Sequence, residues 1–361
     1  IWTRMDLDSS VGSRPRFART AQSMSDSAQI PALLLTDKGW ENLKEGTTAK
    51  PEVTEGHVLV RIHATALNPV DFKMAQYGFN ITSWPTVLGC DAAGVVEAVG
   101  SGVEGVNVGD EVFAYPGLGA PGRGTFTTHF LLRHDLLWKK PPSLTFAQAA
   151  SIPVGLLTAW LGVVDNLGLD PVGGGAHDEW VLVWGGSSSV GAYAIQLAKM
   201  AGYKVVSTAS PANEELVKSF GADAVVNHRS ADASAQVRTI TAGTLRFAFD
   251  TIGQATALQS AEAMAGDGSA LLTSCAAFGL DEGKLPANVK LSYVFLGSKH
   301  DSEEGLASLK TMYAALQPLL THGKIKPNRV QERAGGVGAI LGALADLRDG
   351  RVSGEKLVVA L

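Results

Sequence analysis

The residues with the clearest chemistry lie in VLVWGGSSSVGAYAIQLAKM, residues 181–200. An apolar, strand-like run enters Gly185 and Gly186, three serines follow (Ser187, Ser188, Ser189), and Val190 and Gly191 open a segment of helical apolar spacing. A helix N-terminus presents unpaired N–H groups and a partial positive charge, which suit a pyrophosphate. Small residues let the backbone approach the phosphates, and a glycine at 191 lets helix pack on strand. The loop alone would also serve as an ordinary strand–turn–helix corner. The strand before it, the helix after it and a second strand beyond favour a dinucleotide site. Ser188 stands where the fingerprint usually has its middle glycine.

The second strand bears on the choice of dinucleotide. A site for NAD usually places Asp or Glu about 20 residues on, against the ribose 2′-hydroxyl. Here the strand closes on Ser207-Thr208-Ala209-Ser210, with no carboxylate. Ser207 and Ser210 leave room for a 2′-phosphate, and Lys218 or Arg229 could neutralise it; solvated surface charges are the plainer account of both. NADPH is the expected cofactor. Asp250 ends a later strand, at the edge where such sheets bind ligands, and is expected to bond either the cofactor or neighbouring backbone.

These residues need a scaffold, and the patterning supplies one. From about residue 180, strands (WVLVWGG, YKVVSTAS, ADAVVN, LRFAFDTIG, SALLTSCA) alternate with helical segments, which implies a parallel sheet covered on both faces. Residues 30–150 instead hold short alternating strands, such as HVLVRIHATAL at 57–67, separated by Gly/Pro turns. The last 45 or so residues are helical, end in KLVVAL, and are expected to return to the first domain. The expected division is an extension at 1–29, a discontinuous β-rich domain at 30–155 and 310–361, and a dinucleotide domain at 156–309.

Composition narrows the function classes. The chain has 361 residues, 45% hydrophobic and 18% charged, with net charge −5 and no basic run, so nucleic acid is not an expected partner. No apolar run approaches the ~20 residues of a membrane span. Cys90 and Cys275 are the only cysteines, which excludes a disulfide framework and a four-thiolate zinc site and fits a reducing compartment. The expected location is cytoplasmic. Arg4, Arg14, Arg16 and Arg19 suggest a mitochondrial presequence, against which Asp6 and Asp8 count; Met24 is a plausible start. His63, His129 and His134 lack a metal-ligand spacing.

Several segments together carry a family resemblance: ALNPVDFKM at 66–74, VLGCDAAGVVEAVGSGVEGVNVGDEVFAY at 87–115, AASIPVGLLTAW at 149–160, the loop at 185–191, FAFDTIG at 247–253 and VSGEKLVVAL at 352–361. Over residues 30–361 the chain resembles the medium-chain dehydrogenase/reductase superfamily. The resemblance implies an α/β fold, with a Rossmann-type doubly wound parallel sheet plus a discontinuous β-rich GroES-like domain and the active site between them. It is similar to the zinc-independent quinone and enoyl reductase branch. Asn68-Pro69-Val70-Asp71 and Gly89-Cys90-Asp91 stand where zinc alcohol dehydrogenases carry a Cys ligand and Gly-His-Glu, and Cys90 is expected as a buried small side chain. Quinone and enoyl reductases often carry a tyrosine where this chain has Lys73 or Phe79. The NPVDFKM wording is closer to fungal secondary-metabolite members, including the trans-acting enoyl reductases.

The implied reaction is hydride transfer to an activated C=C or a quinone, with negative charge gathering on a carbonyl oxygen and a proton delivered to carbon. Asn68 is a candidate to orient substrate or ribose. Lys73 is a candidate donor or an anion-positioning cation, Tyr77 is a reserve acid, and Thr158 is similar to a family position facing the nicotinamide. The expected partner is a small-molecule or carrier-bound acyl substrate, and the expected assembly a monomer or homodimer. A non-catalytic dinucleotide-binding adaptor, or a crystallin-like relative, is the alternative.

Overall fold

The computed structural model describes residues 28–361. The first sheet is built on the alternation of His57–Ala66, which pairs with Asp91–Val99 along one edge and with Lys356–Ala360 and His129–Arg133 along the other. Val330–Arg333, Glu111–Ala114 and Trp138–Lys139 extend it. The last strand therefore completes a sheet begun near the start. Gln29–Leu35 pairs with Leu43–Ala49, so residue 29 belongs to a strand and not to the expected extension. Residues 1–27 of that extension lie outside the described residues.

The second sheet holds β1 (Trp180–Trp184), β2 (Lys204–Ala209), β3 (Ala224–Asn227), β4 (Phe247–Asp250), β5 (Ala270–Ser274) and β6 (Val289–Tyr293), all parallel, in the order β3-β2-β1-β4-β5-β6. This is the doubly wound dinucleotide order, with its switch point between β1 and β4. Side chains of β1 alternate between two cores. Val181 and Val183 meet Ala192, Tyr193 and Ile195 of the following helix, while Leu182 and Trp184 join Val237, Ala257 and Ala261 on the other face. The sequence pattern did not disclose β6, whose VKLSY is half polar. Both expected boundaries fall inside helices, Pro153–Trp160 and Glu303–Thr321, because these bridge the two domains. The helical stretch 146–166 reaches spanning length and apolarity, contrary to expectation. It is 83% buried inside the protein, so its apolar surface is spent in the core.

A buried charge cluster fixes how the connecting helices start. α1 (Pro69–Tyr77) opens on a proline, whose fixed φ suits a first helical position, and closes at Gly78 with φ 72, in the left-handed region. Just before it, the Asn68 N–H donates to Asp71 Oδ2 at 2.7 Å, and the Asn68 amide nitrogen donates to Asp91 Oδ2 at 2.8 Å. Lys356 Nζ donates to Asn68 Oδ1 and lies 3.3 Å from Asp91 Oδ2. The other Asp91 oxygen accepts the Val154 N–H at 2.8 Å, in the first turn of α2 (Pro153–Trp160), where the helix dipole favours a carboxylate. The Cys90 thiol donates to Asp71 Oδ1 at 3.4 Å. All five side chains are buried. α2 runs on into a wider π-helical turn, Leu161–Asn166.

From α2 the packing reaches α3 (Ser189–Met200) and the glycine loop. A Cβ at Gly155 would stand 2.4 Å from Ser189 Oγ, and one at Gly191 would stand 2.2 Å from the Gly185 carbonyl oxygen. The second contact is with backbone and cannot be relieved by a rotamer change. Gly191→Ala is therefore expected to cost about 1–3 kcal/mol of stability, as overpacking does, and to displace the loop. Chemical denaturation together with cofactor titration checks this; unchanged stability and affinity would contradict the close approach.

A second expectation concerns pH. Burial pushes Asp71 up to about 7, although the Asn68 N–H and the Cys90 thiol pull it down. The folded chain thus holds this proton more tightly than an unfolded chain, where Asp titrates near 3.8. That stabilisation is fully present below the unfolded value and is lost as pH rises through the folded one. Between about pH 5 and 8 the wild type is expected to lose more stability than Asp71→Asn. Denaturation midpoints of both across that range decide it, and parallel profiles would refute the assignment.

Candidate active site

The glycine loop sits where β1 meets α3. Gly185 has φ 85, its N–H donates to Thr208 Oγ1 at 2.9 Å, and the Gly186 N–H donates to the Thr208 carbonyl at 2.9 Å. Ser188 caps α3: its Oγ accepts the Gly191 N–H at 3.0 Å and lies 2.8 Å from Thr251 Oγ1. Among the described residues, the N–H groups of Ser187, Ser189 and Val190 have no protein acceptor. Three free donors at the start of a twelve-residue helix, beside a loop without bulky side chains, fit a pyrophosphate. The residues present therefore fit a nicotinamide dinucleotide along this edge. Ile252, 51% exposed, stands over the loop close to the Gly185 Cα, and its apolar face is available to a ring.

The other expected cofactor residues divide. Ser210 and Arg229 lie at or beyond the carboxyl ends of β2 and β3, where the 2′ position would fall, and Arg229 is exposed. Ser207 needs correction: it is fully buried and its hydroxyl donates to the Val183 carbonyl at 2.7 Å, inside the sheet. Lys218 pairs on its own helix with Glu214 at 2.8 Å and Glu215 at 3.3 Å, so its charge is already matched. Asp250 takes the neighbouring-group reading. Its carboxylate accepts Thr256 Oγ1 at 2.6 Å, Ser274 Oγ at 2.8 Å and the Gly253 N–H at 3.1 Å, which organises the turn after β4. Burial raises its pKa, and those donors oppose the rise.

Across the cleft, Asn68 also needs correction as a free donor. Both ends of its amide are engaged, by Asp91 and by Lys356, so it positions the start of α1. Lys73 is half-buried on α1. It acts electrostatically on Cys275, which follows β5. Burial and Asp250 push the Cys275 thiol up to about 12, which keeps it protonated. Thr158 is buried on α2, and no protein group among the described residues bonds its hydroxyl. Tyr77 is 48% exposed at the end of α1.

Sequence reading missed Thr208, Thr251, Ile252, Asn328 and Lys356. Asn328 donates to Ser189 Oγ at 2.8 Å and to the Ser151 carbonyl at 3.0 Å, tying the C-terminal segment to the loop. Lys356 heads a strand, where a lysine ordinarily reads as solvated; only its 4% exposure reveals the role. The donor set around it does not fit zinc. The Lys356 ammonium bonds the Asn68 amide and pairs with Asp91, the Cys90 thiol is taken by Asp71, and among the described residues no group of three His, Cys, Asp or Glu side chains could hold a metal ion.

Comparison with known proteins agrees with this geometry. Residues 54–142 match the alcohol dehydrogenase GroES-like domain family, and residues 189–311 match the family described as zinc-binding dehydrogenase. A trans-enoyl reductase from Alternaria alternata is 34% identical over 340 residues, covering 91% of this chain and 97% of that protein. Another from a Fusarium species is 32% identical, covering 92% and 99%. Among solved structures, an alcohol dehydrogenase superfamily protein from Novosphingobium aromaticivorans superposes with TM-score 0.80 at 28% identity, covering 92% of this chain and 99% of that one. A Pseudomonas syringae quinone oxidoreductase superposes with TM-score 0.77 at 25% identity, covering 92% and 100%. The order of the two domains, the sheet topology and these full-length similarities place the chain in the medium-chain dehydrogenase/reductase superfamily, on the branch that holds the fungal trans-enoyl reductases.

Proposed function

We propose that the chain is an NADPH-dependent reductase of activated carbon–carbon double bonds, acting on enoyl thioesters of small or carrier-bound acyl groups without a metal. The observation that supports it most is the set of open N–H donors of Ser187, Ser189 and Val190 at the start of α3, with the half-buried Lys73 of α1 acting electrostatically on Cys275 after β5. Preference for the 2′-phosphate rests on β2, which ends in Ala209 and Ser210 with no carboxylate, and on the exposed Arg229 one strand further along.

Bound along this edge, the reduced dinucleotide supplies the hydride. The protein holds the other reactants. The α3 N-terminus would hold the pyrophosphate charge, and the Thr158 hydroxyl, which no protein group among the described residues bonds, would be available to the nicotinamide. As hydride reaches the β-carbon of the alkene, charge moves to the thioester oxygen, and a nearby cation or hydrogen-bond donor lowers the barrier. Lys73 is the candidate to supply that charge and to deliver a proton to the α-carbon. Metal independence is supported by the buried cluster, whose cation is the Lys356 ammonium.

NADPH is expected to bind more tightly than NADH, and Arg229→Ala to erode that difference with little effect from Lys218→Ala. Fluorescence titration of both dinucleotides tests this, and tighter NADH binding by the wild type would sink it. Lys73→Met is expected to lower kcat by ~10²-fold or more at saturating NADPH if the ammonium serves the proton transfer. A rise in KM alone would reduce Lys73 to substrate steering. NADPH binding with no turnover of enoyl thioesters, enals or quinones would favour a non-catalytic adaptor.

A further inference from the structure

Two polar side chains, Tyr115 and His300, meet at the seam between the domains without hydrogen-bond partners. The Tyr115 hydroxyl and both ring nitrogens of His300 are buried and make no hydrogen bond. The two rings stand edge to face, with centroids 5.2 Å apart. The Tyr115 carbonyl lies toward the imidazole but outside hydrogen-bond geometry. Arg123, half-buried, acts electrostatically on both groups, yet among the described residues its guanidinium makes no hydrogen bond or ion pair. Asp301 faces it without pairing, and the neighbouring Arg133 is already taken by Asp135 at 2.9 Å.

Their position matters. Tyr115 follows the strand Glu111–Ala114 of the first domain, near enough to the buried Asp91 for that carboxylate to act on its phenol. His300 ends the turn Leu296–His300, after β6 of the second. The two segments touch: a Cβ at Gly117 would lie 3.2 Å from the His300 ring, and one at Gly297 would lie 2.9 Å from Leu118 Cδ1. Burial, then Arg123, pushes His300 down to about 4, so the ring is neutral near pH 7. Burial likewise keeps Tyr115 protonated. The group therefore presents a hydroxyl donor, one imidazole N–H and an unmatched guanidinium, with a net charge of one.

Leaving buried donors unpaired is costly, and native structures rarely do so without a reason. Apolar side chains would fill this seam at no such cost. An oxygen that accepts hydrogen bonds and carries negative charge would satisfy the Tyr115 and His300 donors and suit the charge of Arg123. We propose that Tyr115, Arg123 and His300 form an oxyanion-binding site at the domain seam that receives a charged or strongly polarised oxygen of the acyl substrate. The assignment rests on the reductase reading for its substrate class and goes beyond it by naming the groups that hold the oxygen. That oxygen is either the reacting thioester carbonyl or a carboxylate further along the chain.

The test compares the wild type with Tyr115→Phe, His300→Phe and Arg123→Gln. The two phenylalanine variants keep the rings and are expected to hold or raise Tm, since no bond is lost; a marked fall in both would reveal structural partners and overturn the site. Glutarate, added without NADPH, is expected to raise the Tm of the wild type and not of Arg123→Gln. Turnover with NADPH then uses pent-2-enoyl and glutaconyl thioesters. A fall in kcat of roughly tenfold or more on both substrates in Tyr115→Phe, the scale of a lost hydrogen bond to a charged group, identifies the reacting carbonyl. A raised KM for the glutaconyl thioester alone identifies a distal carboxylate. A wild type that reduces neither thioester but still responds to glutarate refutes the reductase reading and leaves the site standing. Absence of both the glutarate response and any kinetic effect overturns the site.

Discussion

The carboxylate of Asp91 is the point on which both the cleft and its two connecting helices depend. One oxygen holds the Asn68 amide and faces the Lys356 ammonium, while the other holds the first turn of α2. Removing an ion from water costs several kcal/mol in a protein interior, and mutual attraction offsets this only where the remaining hydrogen bonds are also made. Here they are made by three different parts of the chain. Burial pushes Asp91 up to about 6, with Lys356 the strongest influence against that rise, so the charged form depends on the lysine staying in place. α2 in turn sets the height of Thr158 and presses Gly155 against Ser189 of the glycine loop.

This dependence explains why a zinc-enzyme framework persists without a zinc-like donor set. The strands and helices that would present metal ligands are still brought together, but an amide and an ammonium fill the space between the carboxylates. A cation fixed by the covalent chain cannot exchange with solvent ions or accept an additional ligand. What the arrangement offers is rigidity at the base of the cleft. On the proposed reading, polar chemistry falls to Lys73, Thr158 and the seam group around Tyr115.

Much of this was legible in the sequence where function is local. The glycine loop was readable because its geometry is set within a dozen residues, as was the alternation that builds β1 to β5. The absence of a carboxylate after β2 was equally visible. Other roles were hidden because they depend on distant partners. Asn68 and Lys356 are 288 positions apart, and neither alone shows that the pair is buried. Ser207 looked like a lining residue because strand ends and strand interiors share composition; its bond to Val183 is a matter of register. Lys218 resembled a phosphate ligand until Glu214 and Glu215 proved to share its helical face. Tyr115 sits in an ordinary strand-ending EVFAY, and only the unpaired state of its hydroxyl sets it apart.

The closing strand Lys356–Ala360, paired with His57–Ala66, has a consequence for how the molecule is made. Synthesis delivers the first domain's sheet with one edge open and with Asp91 facing a hollow that lacks its cation. The second domain is continuous and can fold as it leaves the ribosome, as domains generally do. The first cannot close its sheet until Val330–Arg333 and Lys356–Ala360, which follow the second domain in the chain, have been made. Lys356 arrives with the strand that docks on His57–Ala66, so pairing that strand and placing a cation beside Asp91 happen in a single step.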